Sequence, residues 1–209
     1  ELFYEGYSYN TQTSGELVAN FAVLTAKLVE KFDLDFNDLA VDIGSNDGTL
    51  LEGFLKSGVK VLGIEPTGVS NLALEKNIPT LKRFFNKELV DEIVPRYGPA
   101  KIITATNVFA HMDDINSIVK GIRDLLTEDG VFVSESHYLL DLIEKKEYDS
   151  IYHEHLRYYS LMPLIRLFEM HGMEVFDAER ITTHGGSLRV YACKRGVYPV
   201  SNNVNEIIE

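Results

Sequence analysis

The chain has 209 residues, 45% hydrophobic and 25% charged, which is enough for one sizeable core and near the average for a globular domain. Its formal charge of −12 excludes a sequence-independent grip on nucleic acid, which depends on Lys and Arg neutralising phosphates. A single cysteine, Cys193, excludes an intramolecular disulfide, and no Cys pair or Cys/His run has zinc-site spacing.

No run of about 18 apolar residues is present to span a bilayer, and no charged-then-apolar start reads as a signal peptide. The expectation is one domain in a reduced, cytoplasmic setting, with no nucleic-acid or membrane partner and no metal. The first residue is Glu1 rather than Met, which fits a trimmed chain or a fragment.

Residues 3–9 carry three tyrosines without a period and read as an irregular arm. Thr13-Ser14-Gly15-Glu16 has capping-box spacing, and Leu17, Phe21, Leu24, Leu28 and Val29 follow at helical intervals, predicting a helix over about 14–32. From there strands and helices alternate. Strands are expected at 39–43, 59–65, 80–83, 101–106 and 130–135, and helices at 49–57, 69–77, 87–97, 115–126 and 138–146. This order implies parallel pairing through right-handed crossovers. A helix over 161–171 is followed by strands at 173–180 and 188–194 with Gly185-Gly186 between them, so the last two strands should pair antiparallel. The expected domains are an arm with its helix (1–36), a core (37–196), and a tail or start of a further domain (197–209).

The stretch Val41-Asp42-Ile43-Gly44-Ser45-Asn46-Asp47-Gly48-Thr49-Leu50 reads as strand, glycine loop and helix, the first unit of a nucleotide-binding α/β domain. Aligned from Gly44, the second and third positions of a dinucleotide fingerprint hold Asn46 and Thr49. A side chain then stands where pyrophosphate should lie, which disfavours a nicotinamide or flavin dinucleotide. S-adenosylmethionine has no phosphate and needs glycines only for backbone approach, which Asp42 to Gly48 supplies. Glu65, 21 positions beyond Gly44 at the end of the second strand, is placed to accept both hydroxyls of a ribose. Asn107 and Phe109 follow the fourth strand, at the sheet edge where open α/β folds bind ligands. Phe84 and Phe85 either flank an adenine or belong to the core.

Ile151-Tyr152-His153-Glu154-His155 is the other unusual run, with Arg157, Tyr158 and Tyr159 behind it. His-x-His can be a metal pair, but no Cys or Asp cluster completes a site, and a solvated loop is the plainer alternative. The combination of Tyr, His, Glu and His suits acid–base work near neutral pH.

Taken together, Tyr7-Ser8-Tyr9 before Thr13-Ser14, the loop Asp42 to Gly48, Asn107 with His111, Tyr152-His153-Glu154-His155 and His184-Gly185-Gly186-Ser187 resemble the nucleotide-sugar C-methyltransferase family over about residues 3–194. The resemblance implies an α/β class I methyltransferase (Rossmann-like) fold, a seven-stranded mixed sheet with a terminal antiparallel hairpin. It also implies S-adenosyl-L-methionine as cofactor and a nucleotide-linked 4-keto-deoxysugar as small-molecule substrate, methylated on carbon through an enolate. Asp42, Gly44, Asn46, Gly48, Glu65, Phe84 and Asn107 would bind the cofactor. His155, Glu154, Tyr152 and His111 would form the acid–base cluster, with His155 or Tyr152 as base and Tyr7 or Tyr9 closing over it. The family's cysteine-rich zinc segment and C-terminal domain have no counterpart in these 209 residues, so a catalytic core is expected. A small-molecule O- or N-methyltransferase and a non-catalytic binding module are the alternatives.

Overall fold

The structure is a computed structural model that describes residues 10–151 and 153–208, with His184 described by its backbone alone. Seven strands run in the order β3-β2-β1-β4-β5-β7-β6: β1 Leu39–Ile43, β2 Lys60–Ile64, β3 Thr80–Leu81, β4 Ala100–Thr106, β5 Leu126–His137, β6 Met173–Ile181 and β7 Ser187–Lys194. The helices are α1 Gly15–Lys31, α2 Thr49–Lys56, α3 Ser70–Glu75, α4 Lys87–Tyr97, α5 Ile115–Leu125, α6 Leu139–Lys145, α7 Leu161–Met170 and α8 Asn202–Ile208. This is a class I methyltransferase fold, the α/β seven-stranded mixed sheet with an antiparallel end that the alternation of elements implies. The chain divides into two compact units, one ending at Thr104 and the other beginning at Ala105.

In the first unit β1 pairs parallel with both β2 and β4, and every β1 residue is buried, which explains why Leu39–Ile43 reads as a continuous apolar run rather than an alternating one. The helix α1 buries Leu17, Phe21, Leu24 and Leu28, a stripe at helical spacing. It packs closely on α2 because Gly53 has no side chain: a Cβ there would lie 2.1 Å from Thr25 Oγ1. The cap of α1 is Ser14, whose hydroxyl accepts Leu17 N–H at 3.4 Å. Thr13 instead belongs to a 3-10 turn, Thr11–Thr13, so the capping box read from Thr13 and Glu16 is not formed.

In the second unit β7 pairs antiparallel with β5 and with β6. The strand β5 runs to His137, past the expected end at 135, because Ser136 and His137 continue the ladder opposite Leu188 and Ser187. Residues 202–208, expected as a tail, form α8. Val204 is buried, and Ser201 Oγ and Asn203 Nδ2 both donate to the Asp177 carboxylate on β6, at 2.7 and 3.0 Å. Among the described residues no helix is long and apolar enough to cross a membrane.

Candidate active site

The glycine loop leaves β1 with the N–H groups of Gly44 and Ser45 both donating to Ile64 O, at 2.8 and 3.2 Å, which ties it to the end of β2. Gly44, Asn46 and Gly48 all have positive φ, +73°, +50° and +77°, the left-handed region open to glycine and next best to asparagine. Asp47 is fully buried. Its Oδ1 accepts the N–H and hydroxyl of Thr49 at 3.1 and 2.6 Å, serving the start of α2 where Gly48 has no side chain to do so. Its Oδ2 accepts Gln12 N–H at 2.8 Å.

Asn46, expected on the cofactor, turns its amide oxygen to the N–H and hydroxyl of Thr11, at 3.0 and 3.1 Å. The 3-10 turn is therefore pinned to the loop by side chains of two adjacent loop residues. Nothing in the sequence marks this, since 35 residues separate the partners.

Glu65 lies just beyond β2 and is 6% exposed. Its Oε2 accepts Asn46 N–H at 3.0 Å and its Oε1 accepts Thr67 N–H at 2.9 Å. Each carboxylate oxygen retains a further acceptor site, so a pair of hydroxyls can still be held. Asp42, 2% exposed on β1, accepts the Thr104 hydroxyl at 2.6 Å. Burial raises its pKa to about 7, against the opposing effect of that hydrogen bond and with a further upward push from the charge of Glu65. Ser45 Oγ is buried and has no hydrogen-bond partner among the described residues. Three buried acids, a partnerless hydroxyl and a left-handed loop suit a cationic, diol-bearing ligand. They repel a pyrophosphate.

Phe85 is core, whereas Phe84 stands 61% exposed after β3. Asn107 follows β4 at φ +57°, its N–H donating to Glu135 O at 2.8 Å, and its Oδ1 is buried with no partner among the described residues.

The second unit gathers the histidines expected to do acid–base work. His155 lies between two other imidazoles: ring centroids are 4.8 Å from His111 and 5.2 Å from His137, with Tyr158 edge-on at 5.6 Å. His111 Nδ1 is 2.7 Å from Glu154 O. A carbonyl can only accept, so Nδ1 carries the hydrogen and Nε2 holds the lone pair of the neutral ring. Glu154 thus contributes through its backbone carbonyl. His137 at the end of β5 is the member that sequence reading missed. It has no strand signature of its own and is carried into place by the ladder with β7, opposite Ser187.

Two tyrosines near the cluster are held as donors: Tyr159 OH reaches Phe109 O at 3.4 Å with burial pushing its pKa to about 12, and Tyr158 OH reaches Ser150 O at 3.2 Å. Tyr7, Tyr9 and Tyr152, and the side chain of His184, lie outside the described residues. Among the described residues no group of His, Cys, Asp and Glu is arranged to hold a metal ion.

Two residues before His137, Glu135 points to the same side of β5. It is fully buried and faces Arg189 on β7, whose Nη2 donates to Oε2 at 2.8 Å and whose Nη1 donates to Glu179 Oε1 on β6 at 3.2 Å. Tyr191 OH donates to Glu179 as well. Thr183 Oγ1 donates to Glu135 Oε1 at 3.1 Å, joining the His-Gly-Gly loop to the network. Both glycines of that loop are required: a Cβ on Gly185 would lie 2.4 Å from Glu147 Oε1, and one on Gly186 would lie 2.5 Å from Asp141 Oδ2.

The fold is that of class I methyltransferases. Residues 23–178 match the model of the methyltransferase domain family, and the chain belongs to that family. It is 35% identical over 193 residues to the C-methyltransferase NovU of Streptomyces niveus, an alignment covering 92% of this chain and 46% of that protein. The chain thus spans about half the length of this curated relative.

Among solved structures, the fold resembles the magnesium protoporphyrin IX methyltransferase of Synechocystis PCC 6803 with bound SAH (TM-score 0.64, 16% identity, 85% of this chain and 83% of that one). It is also similar to an S-adenosylmethionine-dependent methyltransferase of Anabaena variabilis (TM-score 0.63, 15% identity, 85% of each chain).

Proposed function

We propose that the chain is the core of an S-adenosylmethionine-dependent C-methyltransferase acting on the carbon next to the keto group of a nucleotide-linked 4-keto-deoxysugar. The observation that carries this reading is the cluster of His111, His155 and His137 with one ring nitrogen fixed as an acceptor. A hydroxyl or amine acceptor already owns a nucleophilic lone pair. A carbon beside a ketone does not, and needs both a positioned base and stabilisation of charge at the oxygen. The C-methyltransferase named above supports the same choice.

Glu65, Asp42 and the loop Gly44–Gly48 hold the cofactor, with Phe84 and Asn107 as further contacts. S-adenosylmethionine held there would supply an electrophilic methyl, its sulfonium becoming a thioether on transfer. The protein's own work is at the acceptor. His155 or Tyr152 takes the proton from the carbon, assisted by His111, so that the C–H electron pair passes into the enolate and then into the new C–C bond. Glu154 fixes the His111 ring through its carbonyl.

The test is to incubate the protein with methyl-labelled S-adenosylmethionine and a nucleotide-linked 4-keto-6-deoxyhexose and locate the label by NMR. Label on the carbon adjacent to the keto group is expected. Label found only on oxygen or nitrogen would replace this reading with that of an O- or N-methyltransferase.

A further inference from the structure

The segment from Phe109 to Asp113, between the end of β4 and α5, has only one 3-10 turn, Phe109–His111, of its own. It is held by the stretch 154–159, about 45 residues later in the chain. Tyr159 OH donates to Phe109 O at 3.4 Å, Leu156 N–H donates to Ala110 O at 3.1 Å and His111 Nδ1 meets Glu154 O at 2.7 Å. Arg157 then donates to Met112 O through Nη1 and to Asp113 O through Nη2, the latter at 2.8 Å. Five consecutive residues are therefore tied across, and a single guanidinium makes the last two ties.

We infer that Arg157 is a positioning residue: its fork holds Met112 and Asp113 so that His111 presents Nδ1 to Glu154 O and keeps Nε2 as the proton acceptor. The physical reason lies in the geometry of the two groups. A guanidinium offers several N–H donors in a rigid plane and can serve two successive carbonyls at once, whereas an ammonium is a point donor with one direction at a time. His111 is the residue immediately before Met112. A shift of the chain at 112–113 turns the imidazole away from Glu154 O, and either ring nitrogen can then carry the hydrogen. The catalytic penalty of such a shift is large, because misplacing a reacting group by about 1 Å costs on the order of 100-fold.

Only the kinetic arm of the test rests on the proposed methyl transfer; the spectroscopic arm needs no substrate. In the 15N-labelled chain, long-range 1H–15N correlation of the His111 ring should show the Nδ1–H form alone. Arg157→Met should convert it to a mixture of tautomers while the fold, followed by amide spectra, is kept. In turnover assays the same variant should lose about 10- to 100-fold in kcat with KM for S-adenosylmethionine unchanged, and Arg157→Lys should recover part of the loss.

A His111 ring that stays wholly Nδ1–H in Arg157→Met would overturn the inference, as would an unchanged kcat. If the Met variant does not fold, Arg157→Gln, which keeps the polarity but loses the charged fork, carries the test, and an unaltered His111 tautomer in it is the overturning result. A chain inactive on every keto-sugar but with the expected tautomer change would refute the proposed substrate and leave this inference standing.

Discussion

The glycine loop of the first unit and the histidine cluster of the second are built in opposite ways. The loop is held by backbone groups: Gly44 and Ser45 to Ile64, and the N–H groups of Asn46, Thr67 and Gln12 to buried carboxylates. Its side chains mostly serve their own chain, and what remains for a ligand is spare acceptor capacity and a partnerless hydroxyl. In the cluster the relation is reversed. Imidazole rings meet one another at tilted angles, and the main chain is used to fix them, as Glu154 O fixes His111. A cofactor shared by a large family needs only a shaped backbone, whereas proton removal from carbon needs particular rings in particular protonation states.

That contrast can be broken at several points. His155→Ala should lower kcat by about 100- to 10,000-fold, the range for a lost acid–base group, with S-adenosylmethionine affinity by calorimetry unchanged. Arg189→Met should leave Glu135 charged, buried and uncompensated, and chemical denaturation should show a loss of about 3–5 kcal/mol that spares the chemistry of the glycine loop.

Asp42 offers a test through pH. Its pKa in the native state, about 7, lies above the ordinary carboxylate value of 3.8, so between these values the native state binds more protons than the unfolded one and stability falls as pH rises. Asp42→Asn removes this loss: chemical denaturation at pH 8 should show a gain on the order of a few kcal/mol, gone near pH 4. Weakened cofactor binding in the same variant would show that the carboxylate serves the ligand as well as the core. Glu65→Ala should cost about 1–3 kcal/mol in stability from the unmet N–H groups of Asn46 and Thr67, and should also weaken cofactor binding.

Much of the architecture was legible because it rests on local pattern. The buried run Leu39–Ile43, the amphipathic stripe of α1 and the glycines that mark the β6–β7 turn each betray their element within a few residues. The ends were less legible. The last turn of β5 was missed because Ser136 and His137 have no strand signature of their own and are held only by their partners Leu188 and Ser187. α8 was missed because Asn202-Asn203-Val204 reads as polar coil until Asp177 provides its hydrogen bonds.

The same division runs through the site. Residue types that chemistry demands in one short stretch, Asp42 to Gly48 and His153 to His155, stand out in the sequence by themselves. The partners that give those residues their state do not. Thr11 on Asn46, Thr104 on Asp42, His137 beside His155 and Arg157 on Met112 and Asp113 are all separated from their targets by many residues. The sequence by itself determined the order of strands and helices, the loop chemistry that disfavours a pyrophosphate and the presence of a run of Tyr, His, Glu and His, since each depends on neighbours along the chain. The protonation of Asp42, the tautomer of His111 and the make-up of the imidazole cluster were decided only by the tertiary structure, because burial and hydrogen bonding between distant segments set the free energy of each proton.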